Sequence, residues 1–174
     1  SVIERAESDG RLQPGGTVVE YTGGSTGTSL ALVCAVKAHR IRIVTSDAFS
    51  QENLDHMRAL GADLDEIPSD SGRITKELIE AMIDRASQIS NEPETFYSDQ
   101  LQNEDAVAGY HPLGEEIWSQ TEGQIDAFVH VVGTAHSIAG TSTVLRSHNP
   151  DIRTIAVEPS ESPVLSGGEQ GAHK

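Results

Sequence analysis

Val18-Val19-Glu20-Tyr21-Thr22-Gly23-Gly24-Ser25-Thr26-Gly27-Thr28-Ser29-Leu30 is the stretch whose reading decides the fold. A short β-branched run stops at a glycine-rich turn, and an apolar helix opens directly after it. Backbone N–H groups in the first turn of a helix have no intrahelical partner, and the macrodipole makes that end partly positive. Glycines let a small anion come close to this backbone, and Ser and Thr hydroxyls add donors. The loop is therefore suited to a carboxylate or a phosphate. The competing reading is a tight strand-to-helix connection with Ser25 or Thr26 as the N-cap.

Outward from this loop, strand-like and helix-like segments alternate. Helices are predicted over 1–8, 25–38, 51–60, 75–90, 105–121 and 138–148, with Pro112 kinking or breaking the fifth. Strands are predicted over 17–20, 41–45, 62–67, 95–97, 125–132 and 152–157, and 125–132 reads as strongly buried. Such alternation implies parallel strands covered by helices on both faces. Ligands then gather at the carboxyl ends of the strands. Three loops qualify: 22–27, 97–103 and 133–137. The last lies within Val131-Val132-Gly133-Thr134-Ala135-His136-Ser137, again between a strand and a helix, and its hydroxyls and free N–H groups suit a phosphate. Asp99-Gln100 and Gln102-Asn103 offer amide donors and acceptors, or else form a solvated turn. Residues 66–73 read as a polar surface loop.

Composition narrows the function. The 174 residues carry a formal charge of −15, which argues against a nucleic-acid partner because phosphate backbones need a basic face. A lone Cys34 inside Leu30-Ala31-Leu32-Val33-Cys34-Ala35-Val36 reads as core filler and suits a reducing compartment. That run is too short to span a bilayer, so no membrane partner is expected and a cytoplasmic protein is. Asp47 lies where an acidic residue would hold a ribose in a dinucleotide-binding unit, but the glycines do not spell G-x-G-x-x-G. No G-x-S-x-G elbow points to a hydrolase. His130 and His136 could approach each other, yet no compact constellation suggests a metal, and His39, His56, His111 and His148 read as surface or capping residues.

The sequence resembles the fold-type II pyridoxal-phosphate enzymes, close to cysteine synthase and cystathionine β-synthase. The resemblance runs from Ala6-Glu7-Ser8-Asp9-Gly10-Arg11-Leu12-Gln13-Pro14-Gly15 through Arg58-Ala59-Leu60-Gly61-Ala62 to Val157-Glu158-Pro159-Ser160-Glu161-Ser162-Pro163-Val164-Leu165-Ser166-Gly167-Gly168. It implies a three-layer α/β fold like the tryptophan synthase β-subunit, with mostly parallel sheets and helices on both faces. Residues 1–103 would form most of the smaller, substrate-closing domain, and 104–174 the first, truncated part of the larger cofactor-binding domain. Thr22, Gly23, Gly24, Ser25 and Thr26 match the family's T-S-G-N-T-G loop, which grips the substrate carboxylate. The Asn of that loop touches the ring hydroxyl of pyridoxal 5'-phosphate, and here Ser25 stands in its place. Gln100 falls where the family has a carboxylate-binding Gln. Gly133, Thr134, Ala135, His136 and Ser137 match G-T-G-G-T, the cup for the cofactor phosphate.

Three departures stand out. Gly23 replaces the family Ser and Ser25 the Asn; Ala135 and His136 replace two glycines, so any positive φ there would be strained. His136 is expected to give the phosphate a donor. The Schiff-base Lys lies, in the family, in an S/T-x-K-D-R segment just upstream of the helix that opens this chain, and Lys37, Lys76 and Lys174 do not match it. The chain is thus expected to be the middle of a longer enzyme, inactive alone. Its parent would replace the β-substituent of an activated serine with a thiol or sulfide and act as a homodimer. A dehydratase-like lyase, a non-catalytic binding or regulatory protein of the same fold, and a nucleotide-binding domain are the alternatives.

Overall fold

The structure is a computed structural model, which describes residues 1–169 and 171. Lys174, weighed above, lies outside the described residues. The chain divides into two compact units, Val2–Gln100 and Leu101–Lys174.

The first unit runs α1 (Val2–Ser8), β1 (Thr17–Tyr21), α2 (Ser25–Lys37), β2 (Arg40–Ser46), α3 (Gln51–Ala59), β3 (Asp63–Ile67), α4 (Lys76–Ser90) and β4 (Thr95–Tyr97). Its four strands form a parallel sheet in the order β3-β2-β1-β4. β1 is central and buried throughout, as its β-branched run requires. Side chains alternate across a strand. Val18 therefore joins one cluster with Ile41, Ile43, Ala31, Cys34, Leu54 and Met57, while Val19 and Tyr21 join another with Val44, Leu78, Met82, Ala86 and Ile89. Each fully buried aliphatic or Met side chain contributes roughly 1.5–3 kcal/mol. α4 presents Leu78, Met82, Ala86 and Ile89 at helical spacing, and the Thr75 hydroxyl accepts from the Leu78 N–H to cap it.

The Cys34 thiol is buried in this core, and burial pushes it up to about 12. His39 corrects the surface reading made above. Its ring is nearly inaccessible, and Nε2 lies 2.9 Å from Glu7 Oε1, while Lys37 Nζ donates to Glu7 Oε2 at 2.7 Å. Lys37 first, then His39, holds the Glu7 carboxyl below its ordinary value. The pairs tie α1 to the end of α2, a contact between distant segments that sequence spacing does not reveal.

The second unit contains α5 (Asp105–Gly109), α6 (His111–Gln120), β5 (Ala127–Val131), α7 (His136–His148) and β6 (Arg153–Val157). The predicted 105–121 helix breaks at Tyr110, and Pro112 sits in the first turn of α6, where its missing N–H is not needed. α7 packs on α6 and α5 through two glycines: a Cβ on Gly114 would lie 2.6 Å from Val144 Cβ, and one on Gly140 would lie 2.1 Å from the Val107 carbonyl oxygen.

β5 and β6 pair in parallel, with Val129 beside Ile155 and Val131 beside Val157. These four side chains are exposed, which overturns the reading of 125–132 as strongly buried. Register partners share a face, and α7 engages the opposite face through His130.

Candidate functional site

The anion-suited loop of the first unit connects β1 to α2 as expected, but its cap differs. Gly24, not Ser25 or Thr26, is the N-cap, in an extended conformation with no side-chain cap bond. Ser25 and Thr26 thus occupy the first helical turn, where their N–H groups have no intrahelical acceptor. The Gly24 N–H is held by Thr22 Oγ1 at 3.2 Å, and Asn53 Nδ2 donates to the Gly23 carbonyl at 3.2 Å. Glycine is needed at Gly27 because a Cβ there would stand 2.5 Å from Met57 Sδ and 2.7 Å from Thr22 Cγ2. Ser25 is exposed while Thr22 and Gly23 are buried. The loop is therefore anchored at its base and open at its helical end.

Gln100 is not a free surface amide. Its Nε2 donates to the Tyr21 carbonyl at 2.8 Å, and its backbone N–H donates to Glu20 Oε2 at 2.9 Å. The loop after β4 is thereby fastened to the end of β1, directly before Thr22. Glu20 is fully buried and was not singled out in the sequence. Its signal was there: a carboxylate inside a β-branched strand that leads into an anion loop. Besides Gln100 it accepts from the Tyr21 N–H at 2.9 Å and the Ser98 hydroxyl at 2.8 Å. Burial raises its pKa to about 7 against the opposing pull of these hydrogen bonds, Ser98 foremost.

In the second unit, Gly133, Thr134 and Ala135 form the exposed turn between β5 and α7, with His136 and Ser137 opening the helix. Ala135 is the N-cap, at φ +66°, and no side chain caps the helix. Of the two residues standing where the family has glycine, Ala135 alone is at positive φ; His136 is helical. His130 Nε2 pairs with Ser137 Oγ at 2.8 Å rather than with His136, so the imidazole orients a hydroxyl at the helix mouth. The uncapped N–H groups of α7, the two hydroxyls and the open space beside Gly133 fit a phosphate monoester.

Ala135→Gly should stabilise the protein by about 1 kcal/mol, because a left-handed alanine carries roughly 1–2 kcal/mol of strain that outweighs the added freedom of glycine in the unfolded chain. Urea unfolding midpoints check this; a lower midpoint would show that the turn tolerates alanine without strain.

The other candidates separate clearly. Asp47 accepts from the Ser69 N–H at 2.7 Å and the Ser46 hydroxyl at 3.1 Å, which pins the loop after β2, and the Ser69 bonds lead in holding its carboxyl below the ordinary range. Among the described residues no group of three His, Cys, Asp or Glu is placed to hold a metal ion. No described helix is long and apolar enough to cross a membrane. Lys37 is ion-paired with Glu7, and Lys76 opens α4 beside Glu80, so neither belongs to either loop.

Comparison with known proteins shows the family and the fold. A family model described as pyridoxal-phosphate dependent enzyme matches residues 1–174. Cysteine synthase of Staphylococcus aureus is 39% identical over 177 residues, covering 100% of this chain and 55% of that protein. The structure of a hydrogen sulfide-producing enzyme from Fusobacterium nucleatum is similar with a TM-score of 0.88 at 34% identity, over 99% of this chain and 55% of that one. An O-acetylserine dependent cystathionine beta-synthase from Helicobacter pylori is similar at 0.88 and 32% identity, again over 99% and 55%. The chain thus spans about half the length of the relatives it matches.

Proposed function

The chain belongs to the pyridoxal-phosphate dependent enzyme family, and on that premise we propose that its protein carries out β-replacement on an activated serine in the manner of a cysteine synthase. The observation that carries the reading is that each unit holds a strand-to-helix turn, at Thr22–Thr26 and at Gly133–Ser137, ending in a helix N-terminus without a side-chain cap. One suits a carboxylate and the other a phosphate monoester. The relatives named for cysteine synthesis, sulfide production and O-acetylserine use support the same chemistry.

Gly133, Thr134, Ala135, His136 and Ser137 would hold the cofactor phosphate through backbone N–H groups, hydroxyls and the His136 ring. Thr22, Gly23, Gly24, Ser25, Thr26 and Gln100 would hold the amino-acid carboxylate, and Ser25 also stands where the family's loop meets the cofactor ring. Pyridoxal phosphate supplies, when bound, the electron sink that lets the α-proton leave. Across the whole reaction the Cβ–O bond of the activated serine breaks, its acyloxy group leaves as a carboxylate, and a Cβ–S bond forms to the entering thiol or sulfide. The α-proton is removed and returned, a task for an amine that neither Lys37 nor Lys76 is placed to perform. Residues 1–103 would close over substrate and 104–174 would carry the phosphate cup. A homodimer in a reducing, cytoplasmic setting completes the reading, in keeping with the free, buried Cys34.

The test supplies the cofactor-loaded full-length protein with O-acetyl-L-serine and sulfide. The expected result is cysteine and acetate in equal amounts. Cofactor binding without turnover would overturn the reading in favour of a non-catalytic binding role; pyruvate, ammonia and acetate with no cysteine would favour a lyase.

A further inference from the structure

Glu20 is a buried carboxylate with no part in the proposed chemistry, yet it lies between two of the segments that would hold substrate. Oε1 accepts from the Tyr21 N–H, one residue before Thr22, and Oε2 accepts from both the Ser98 hydroxyl and the Gln100 N–H. Ser98 is itself pinned to β1, its N–H donating to the Val19 carbonyl at 3.0 Å. Between Ser98 and Gln100 the chain turns through Asp99 at φ +44°, a left-handed conformation that Asp tolerates better than most residues. That turn delivers two donors to one oxygen. The Gln100 side chain then reaches back to the Tyr21 carbonyl. A closed ring of bonds results: Glu20 holds the Gln100 backbone, and Gln100 holds the strand end that bears the anion loop.

We propose that Glu20 is a positioning residue for substrate recognition, fixing the Gln100 segment against the end of β1 so that Gln100 and the Thr22–Thr26 loop form one receptor for the amino-acid carboxylate. The proposal rests on the carboxylate assignment above. Only an acceptor with two oxygens serves donors on both sides. A glutamine presents one acceptor and one donor group, so at least one of the three donors loses its partner. Without the clamp the Gln100 segment is released, and the receptor must be ordered at each binding event, which weakens binding more than it slows the chemical step.

The experiment compares Glu20→Gln, Gln100→Ala and the double variant in the cofactor-loaded full-length enzyme, with O-acetyl-L-serine and sulfide. Glu20→Gln should raise KM for O-acetyl-L-serine by about tenfold, with kcat within about threefold. Gln100→Ala should raise KM by at least as much, and the double variant should be no worse than Gln100→Ala alone, since Glu20 acts through Gln100. A raised KM in Gln100→Ala with an unchanged KM in Glu20→Gln, or additive effects in the double variant, would overturn the positioning role alone. An unchanged KM in Gln100→Ala would overturn the carboxylate assignment and this proposal with it. If Glu20→Gln does not fold, Ser98→Ala takes its place: it removes one donor from the same oxygen and should raise KM by about threefold with Gln100 present and not at all in the Gln100→Ala background. An unchanged KM in Ser98→Ala with Gln100 present then overturns the proposal.

Discussion

Between pH 5 and pH 8 the protein should lose roughly 2–3 kcal/mol of stability relative to its Glu20→Gln variant. The Glu20 carboxyl is raised from its ordinary 4.5 to about 7, with burial the leading cause. Between those values the folded protein keeps a proton that the unfolded chain has already released. The stabilising contribution is therefore complete below about pH 4.5 and is lost as pH climbs through 7, about 1.4 kcal/mol for each unit of separation. Glu7, Asp9, Asp47, Glu77 and Glu158 are shifted the opposite way. Their contributions are present above their ordinary values and fade on the acid side, outside this window. Glutamine does not titrate, so the difference between the two proteins isolates the one group. Urea unfolding of both proteins at four pH values checks it, and a difference that stays flat with pH would show that the buried carboxyl titrates normally. The result bears on function. Above about pH 7 the ionised carboxylate weakens the fold yet serves two peptide N–H groups and a hydroxyl at once, an exchange of stability for local order beside the β1–α2 loop.

The second large effect concerns the loop itself. Gly23→Ser, which restores the residue that the family loop carries, is expected to destabilise the protein by about 1–3 kcal/mol. A Cβ at Gly23 would lie 1.9 Å from Phe49 Cγ and 2.1 and 2.2 Å from its Cδ atoms. Phe49 cannot simply move aside: its ring packs against the cluster of Val19, Tyr21 and Val44, and swinging it into water gives up about 1.5–3 kcal/mol at most. The Gly23 carbonyl accepts from Asn53 Nδ2, so a shift of the loop also strains that bond. Trimming the ring should remove the conflict. Gly23→Ser with Phe49→Ala is expected to be less destabilised than the sum of the two single variants by at least about 1 kcal/mol, as two residues in contact require. Unfolding midpoints of the four proteins decide the matter, and strict additivity would refute the steric pairing. Gly23 and Phe49 therefore depend on each other: the absence of a side chain at Gly23 makes room for the aromatic ring beside the β1–α2 loop.

How much of this was legible in the chain differs from element to element. The strand over 17–20 was legible from its β-branched run before the glycine turn, whereas its central place in the sheet was decided by its pairing with both β2 and β4. The helix over 75–90 was legible from Leu78, Ile79, Met82, Ile83 and Ile89, mostly at helical spacing, and the structure has it as Lys76–Ser90. Both glycine-bearing loops could be recognised because strand, glycine turn and helix follow one another within a dozen residues, and the physics of a helix N-terminus is local. The buried reading of 125–132 failed for a reason the chain does not carry. Hydrophobic runs say that a strand can be buried, whereas exposure depends on what packs on each face, and among the described residues α7 engages the His130 face while Val129 and Val131 on the other stay exposed. The cap at Gly24 was missed because side-chain preference pointed to Ser25 or Thr26, while the backbone at Gly24 stays extended where Thr22 binds its N–H.

Local sequence alone thus determined the order of strands and helices, the two anion-suited turns, and the residues at them, because backbone propensity, periodicity and helix-end chemistry act over a few positions. Tertiary structure alone decided which groups those turns depend on. Glu20 meets Ser98 and Gln100 across nearly eighty residues, Gly23 meets Phe49, and His130 reaches Ser137, and only the pairing of strands brings such partners within hydrogen-bonding or van der Waals distance. Burial, which raises the Glu20 carboxyl to about 7, is likewise a property of the packed sheet and of no single segment.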